Sequence, residues 1–214
     1  MASKKQEVIE VTPIEVKYLK VIIVGDTDLR LHKMDASNKK LLSDKQKGKE
    51  AKKAASVDKW MQAISTIHWR DGEPEEYTEE AYYEALKNNA PCISAFGLRK
   101  SFGDAVVRNG FETYSTKLMA SLQIVEDYIP VSFASCELIE QLVPAKMGSP
   151  ILNYINQFKG WRATFTLRYI ENYYSIEQML NFIKYAGFGT GIGSGRAGKS
   201  GSNYGSYHIE DVQS

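Results

Sequence analysis

Residues 161–170, WRATFTLRYI, alternate apolar and polar side chains without a break. Trp161, Ala163, Phe165, Leu167 and Tyr169 fall on one face, and Arg162, Thr164, Thr166 and Arg168 on the other. A period of two sustained this long demands a strand with one covered face, and therefore a sheet with a second layer packed on it. The covering layer follows at once. SIEQMLNFIKYAG (175–187) sets Ile176, Met179, Leu180 and Ile183 at helical spacing, Ser175 and Gln178 form a capping box, and Gly187 is placed as the stop. Seven glycines then occur between 187 and 201, and YGSYHIEDV (204–212) reads as a closing strand. Strand, helix, Gly-rich loop, strand is the order that any fold of this chain must respect.

Inside the loop, GSGRAGKS (193–200) fits the phosphate-loop pattern G-x-x-x-x-G-K-[ST] through Gly193, Gly198, Lys199 and Ser200. Such a loop works by leaving a buried strand and opening a helix, so that N–H groups and the helix dipole converge on the phosphates. Here the loop follows a helix and precedes a strand. Only 14 residues come after Ser200, too few for a further helix, a parallel sheet and a Mg²⁺-holding Asp. The overlapping Gly193-x-Gly195-x-x-Gly198 match to the dinucleotide fingerprint fails for the same reason. Two readings of the loop stay open. It is a solvated connector, or a folded loop anchored by Phe188 and Ile192, which interrupt the glycines. In the second, glycines allow positive φ and close backbone approach, their N–H groups form an anion nest, and Arg196 and Lys199 add charge.

Composition bounds the partners. A 214-residue chain with a net charge of +1 does not coat nucleic acid by bulk electrostatics. Charge is nevertheless uneven: residues 33–59 hold nine Lys against Asp35, Asp44, Glu50 and Asp58, and residues 70–87 hold seven acids against Arg70 and Lys87. Cys92 and Cys136, with no Cys-x-x-Cys spacing, read as buried thiols in a reducing compartment. The start MASKKQEVIEV lacks an apolar stretch, and the longest aliphatic run is VIIV at 21–24, so no signal peptide or membrane span is expected. The expectation is a soluble, cytoplasmic protein.

Elsewhere, PIEVKYLKVIIVG (13–25) predicts a long strand after an extension over 1–12, and the polar Lys-rich stretch behind it a mobile insertion. SVDKWMQAIST predicts a helix through Val57, Trp60, Met61 and Ile64 with Ser56 as N-cap, and Thr78 a cap for a helix over 79–89. ISAFGLRKSFGDAVVRNG (93–110) predicts a helix burying Leu98, Phe102, Ala105 and Val106 and stopping at Gly110. Gly97 and Gly103 imply close packing there. Residues 111–143 read as strand-like pieces.

SIEQMLNFIKYAGFGTGIGSGR, a gap, and YGSYHIEDV together resemble the C-terminal signature of the RAMP superfamily, the RNA-binding proteins of CRISPR effector complexes. CISAFGLRKSFGDAVV is similar to that family's first helix, and FKGWRATFTLRY to its third strand. The resemblance covers about half the chain and implies an α+β, ferredoxin-like (RRM-like) βαββαβ core within 13–214, with a long insertion, about 26–92, between the first strand and first helix. It implies a non-catalytic protein that captures the phosphate of RNA or a small nucleotide. The loop would supply Gly189, Gly191, Gly193, Arg196 and Lys199, assisted by Arg162 and Arg168 on the neighbouring strand and Arg99 and Lys100 on the first helix. The pattern is also similar to bacteriophage proteins of this size. Hence a second expectation is an anti-defence protein, acting in the host cytoplasm, that sequesters a nucleotide signal or mimics a CRISPR subunit. A third is a weak metal-independent endoribonuclease, for which His32 is the one loosely compatible residue of His32, His68 and His208. No cofactor or metal is expected. Partners are RNA or a nucleotide-like ligand, a host or phage protein, and a second copy of the chain, with no membrane. Tyr169, Tyr173 and Tyr174 beside basic residues are candidates for base stacking.

Overall fold

The structure, a computed structural model, describes residues 13–34, 36–48, 58–143 and 151–213. The extension 1–12 and the proposed cap Ser56 with Val57 lie outside them. Strand β1 (Val16–Gly25) is followed by β2 (Leu29–Leu31), α1 (Ala36–Gln46), α2 (Lys59–Ser65), β3 (His68–Trp69), α3 (Glu79–Asn88) and β4 (Pro91–Ser94). Then come α4 (Ala95–Arg108), α5 (Thr116–Ser121), β5 (Leu122–Ile124), β6 (Tyr128–Ser132), β7 (Ser135–Val143) and β8 (Ile151–Lys159). Strand β9 (Arg162–Ile170), α6 (Ile176–Tyr185), α7 (Ala197–Ser200) and β10 (Tyr207–Gln213) complete the order.

The fold is α+β with antiparallel sheets. One sheet runs β10-β1-β9-β6-β4-β3, with β5 also paired to β9, and a second runs β2-β8-β7. Alternation explains the first. Ala163, Phe165, Leu167 and Tyr169 of β9 are buried with Leu19, Val21 and Ile23 of β1, while Arg162 and Arg168 stay exposed. Helices α4 and α6 cover the buried face through Leu98, Phe102, Met179 and Ile183, and the Phe102 and Phe165 rings lie 6.3 Å apart. Burial of each large side chain is worth about 1.5–3 kcal/mol. The α6 capping box is present, and Thr78 caps α3. Gly103 packs as its place in a helix implied, with its would-be Cβ 3.0 Å from Ser115 Cβ, but Gly97 has only Ser94 Cβ at 3.9 Å. Tyr169 and Tyr174 are core residues, so of the three tyrosines only Tyr173 is exposed.

Three expectations are corrected. The Lys-rich stretch read as a mobile insertion contains β2 and α1. Strand β2 is too short to show a period, and α1 mixes good helix formers (Ala, Lys, Leu, Gln) with Ser, Asn and Asp and shows no apolar stripe, Leu42 being exposed. Helix α2 is capped by Asp58, whose carboxylate accepts the Met61 N–H at 2.7 Å. Within 111–143, α5 is helical rather than strand-like.

Strand β8 carries buried polar residues. Asn156 is fully buried; its amide donates to the Ala63 carbonyl (2.8 Å) and Thr66 Oγ1 (3.3 Å), and its carbonyl accepts the Tyr82 hydroxyl (2.8 Å). This side chain ties β8 to α2 and α3. Asn156→Ala is expected to cost about 2 kcal/mol by stranding buried partners, read as a lowered denaturation midpoint in urea with unchanged slope.

Candidate functional site

Helix α6 does not stop at Gly187. It widens into a π-helical turn, Ala186–Thr190, closed by the Gly191 N–H donating to the Ala186 carbonyl at 2.8 Å, and the stop is Gly191 with φ +67°. Gly187 is required for another reason: a Cβ there would lie 2.1 Å from the Tyr207 carbonyl oxygen. The loop is then stitched onto the chain between β1 and β2. Ile192 donates to the Gly205 carbonyl (2.9 Å), Gly205 to Asp28 (2.9 Å), and Ser194 to Arg30 (2.7 Å). Ile192 is buried and anchors the loop, but Phe188, expected to share that task, is 88% exposed.

The segment matching the phosphate-loop pattern, 193–200, ends in a helix after all, but α7 is a single turn. Gly198 within it packs on Thr190, its would-be Cβ 2.8 Å from Thr190 Cγ2, and the Arg108 guanidinium donates to the Gly198 carbonyl. No strand feeds this loop, so the nucleotide-hydrolase setting is absent here.

Two cavities flank the loop and share His32, Gly193 and Arg196. The outer one, about 370 Å³, is lined by Arg30, Lys199, Asn153 and the 193–202 segment. The inner one, about 190 Å³, is lined by Lys33, Lys100, His68 and the aliphatic Leu31, Ile93 and Ile192. Arg30, Lys33, Lys100, Arg196 and Lys199 thus bring five cations to one place, and among the described residues no carboxylate lines either cavity. The Arg30 guanidinium lies over the Tyr204 ring, its Cζ 3.6 Å from the centroid, while its Nε donates to Gln157 (2.7 Å). Arg196 donates to the Gly193 carbonyl at 3.2 Å. Lys33 reaches Glu73 at 3.3 Å, and burial pulls its pKa down from the usual lysine value despite that carboxylate. His68 stacks on Tyr128 with ring centroids 4.6 Å apart. Burial, and after it the ammonium groups of Lys33 and Lys39, lower its pKa.

Of the residues singled out in the sequence, Gly193, Arg196, Lys199, Lys100 and His32 meet at these cavities. Gly191 shapes the loop, and Gly189 has open space around its Cβ position. Arg162, Arg168 and Arg99 are not brought there. Strand alternation turns Arg162 and Arg168 to the sheet face opposite α4 and α6. Arg162 is ion-paired with Glu210 and lines a separate cleft of about 730 Å³, whose Arg70 is likewise paired, with Asp71. Arg99 donates to the Met119 carbonyl at the α4–α5 contact. Arg30, Lys33 and His68 were missed: they come from segments whose sequence shows no motif.

Other chemistry is sparse. Both cysteines are free, and burial pushes each thiol up to about 11, which keeps them protonated at neutral pH. Among the described residues no three His, Cys, Asp or Glu side chains gather where they could hold a metal ion, and no helix is long and apolar enough to cross a membrane.

No family model matches the chain, and no curated protein matches it. Among solved structures, it is similar to a chain in the cryo-EM structure of the type III-B Cmr-beta complex bound to cognate target RNA. The TM-score is 0.43 and the sequence identity 11%, over 92% of this chain and 60% of that one. The chain therefore spans about 60% of the length of the structure it matches.

Proposed function

We propose that this chain is a non-catalytic binding protein that captures phosphate groups of RNA or of a small nucleotide in the cradle built by residues 187–201. One observation carries the reading: five cations from three separate segments converge on two neighbouring cavities that no described carboxylate lines. Positive charge of which, among the described residues, only Lys33 is paired, with Glu73, favours an anion, and Ser, Asn and backbone N–H groups there complete its hydrogen bonding. The order β1, α4, β6, β9, α6, β10, with β1 and β9 adjacent at the sheet centre, supports a ferredoxin-like core for residues 13–214, the 26–92 stretch being the insertion.

Arg196, common to both cavities, is the test. Each charge-assisted hydrogen bond is worth about 1.5–3 kcal/mol, so Arg196→Ala is expected to weaken binding of a single-stranded RNA roughly 10- to 100-fold by fluorescence anisotropy. Three or four phosphate contacts give a log–log salt slope of about −2 to −3, at roughly −0.7 per phosphate. Unchanged affinity in Arg196→Ala overturns the assignment.

Two further readings use the same place. His32 and His68 share the inner cavity, which gives the endoribonuclease reading its candidate acid–base groups; RNA cleavage in a chelator that His32→Ala abolishes would put it first. An anti-defence protein that sequesters a nucleotide signal would fill the outer cavity. In that case, a bound nucleotide mass in the native mass spectrum of freshly purified protein is the result to look for.

A further inference from the structure

The two cavities differ in a way that selects among phosphate groups. The outer one, at about 370 Å³, falls within the range of ~300–1,000 Å³ that holds small ligands. The inner one, at about 190 Å³, falls below that range. A base with its sugar does not enter it, but a phosphate group does. Its lining includes the aliphatic Leu31, Ile93 and Ile192 and the cationic Lys33, Lys100 and Arg196. Lys33 is balanced by Glu73 at 3.3 Å. Lys100 has no ion-pair partner among the described residues, and Arg196 has only the neutral Gly193 carbonyl. The uncompensated charge is therefore close to +2.

We infer that the inner cavity binds the terminal phosphomonoester of a nucleic-acid strand, while the adjoining nucleotide lies in the outer cavity along the Gly-rich loop; this rests on the binding function proposed above. A phosphomonoester carries about −1.5 to −2 charge at pH 7 and three free oxygens, which matches the two uncompensated cations. An internal phosphodiester carries one charge, and the strand must leave it on both sides. A small cavity with aliphatic walls accommodates an end of a strand and not its middle. Arg196 stands where the two cavities meet, so it spans the terminal phosphate and the next one. The lowered pKa of His68 agrees with a positive local potential, because Lys33 and Lys39 contribute to it after burial.

The experiment compares one internally dye-labelled RNA sequence in three forms: 5′-phosphate, 3′-phosphate, and hydroxyls at both ends. Anisotropy titrations of the full chain are expected to show one phosphorylated form binding at least about tenfold tighter than the hydroxyl form. Inorganic phosphate should compete away that advantage. Lys100→Ala, a helix-compatible change on α4, should bring the ratio of phosphorylated to hydroxyl affinity to about one, with circular dichroism confirming the fold. Equal affinity for all three strands overturns this inference and leaves strand capture by the cradle standing. A preference that persists in Lys100→Ala overturns the assignment of the inner cavity. Failure to bind any of the three overturns both proposals together.

Discussion

Gly205→Ala is expected to lower stability by at least about 3 kcal/mol, the upper end of what overpacking costs. A Cβ at position 205 would sit 2.0 Å from the Ile192 carbonyl oxygen and 2.9 Å from its carbonyl carbon, in a backbone with φ +69°. Neither contact can be relieved by turning a side chain. The positive φ adds about 1–2 kcal/mol for any residue with a Cβ. At roughly 2–4 °C per kcal/mol for a chain of this size, the melting temperature should fall by about 6–12 °C. Gly193→Ala should behave alike, since its Cβ would lie 2.4 Å from the Arg30 carbonyl oxygen at φ +78°. Gly189→Ala is the control. It meets nothing within 4 Å and should melt with the parent or slightly above it. If Gly205→Ala melts with Gly189→Ala, the loop is not seated as described.

Trp161→Ala is expected to cost about 3–5 kcal/mol, the usual loss for removing a large buried aromatic. Trp161 is fully buried, its indole N–H donates to the Thr27 carbonyl at 2.7 Å, and its ring meets Tyr207 edge-on with centroids 6.2 Å apart. It also excludes any side chain at Gly25, where a Cβ would lie 2.0 Å from its Nε1. The effect should reach the cradle. Thr27, which the indole holds in place, accepts the Ser206 N–H at 3.1 Å through its hydroxyl. Trp161→Phe keeps most of the packing and drops that hydrogen bond, and should lose about 1–2 kcal/mol. Urea denaturation of the three proteins separates the two contributions. Equal stability of Trp161→Phe and Trp161→Ala would mean that packing contributes nothing.

What could be read in advance follows a physical division. Strand β9 and helix α6 were legible because each has one covered face, so burial writes its own period into the residues. The Ser175–Gln178 and Thr78 caps were legible because they are local. Strand β8 was not, because Asn156 and Gln157 occupy buried positions where apolar residues would have marked it. The cradle was half legible. Gly193, Arg196, Lys100 and Lys199 carry a pattern or a charge in context, whereas Arg30 and Lys33 enter from a stretch with no periodicity. Arg162 and Arg168 were assigned to the site by their nearness along the sheet, although the alternation of β9 itself turns them to its other face. Gly187 was read as a helix stop because glycine there is common. Its actual constraint, the Tyr207 carbonyl, comes from a strand twenty residues on, which local rules do not reach.

The cradle is sewn from segments far apart along the chain: Thr27 and Ser206, 179 positions from each other, exchange hydrogen bonds, and Asp28 and Arg30 hold Gly205 and Ser194. Contacts that close so large a loop form slowly and late. A nascent chain emerging from a ribosome therefore lacks the proposed anion site until its β10 segment has been synthesised, although β1 and the first helices are already available. Ligand affinity becomes a stopwatch for the final stage of folding, readable in refolding experiments where helix content has already recovered.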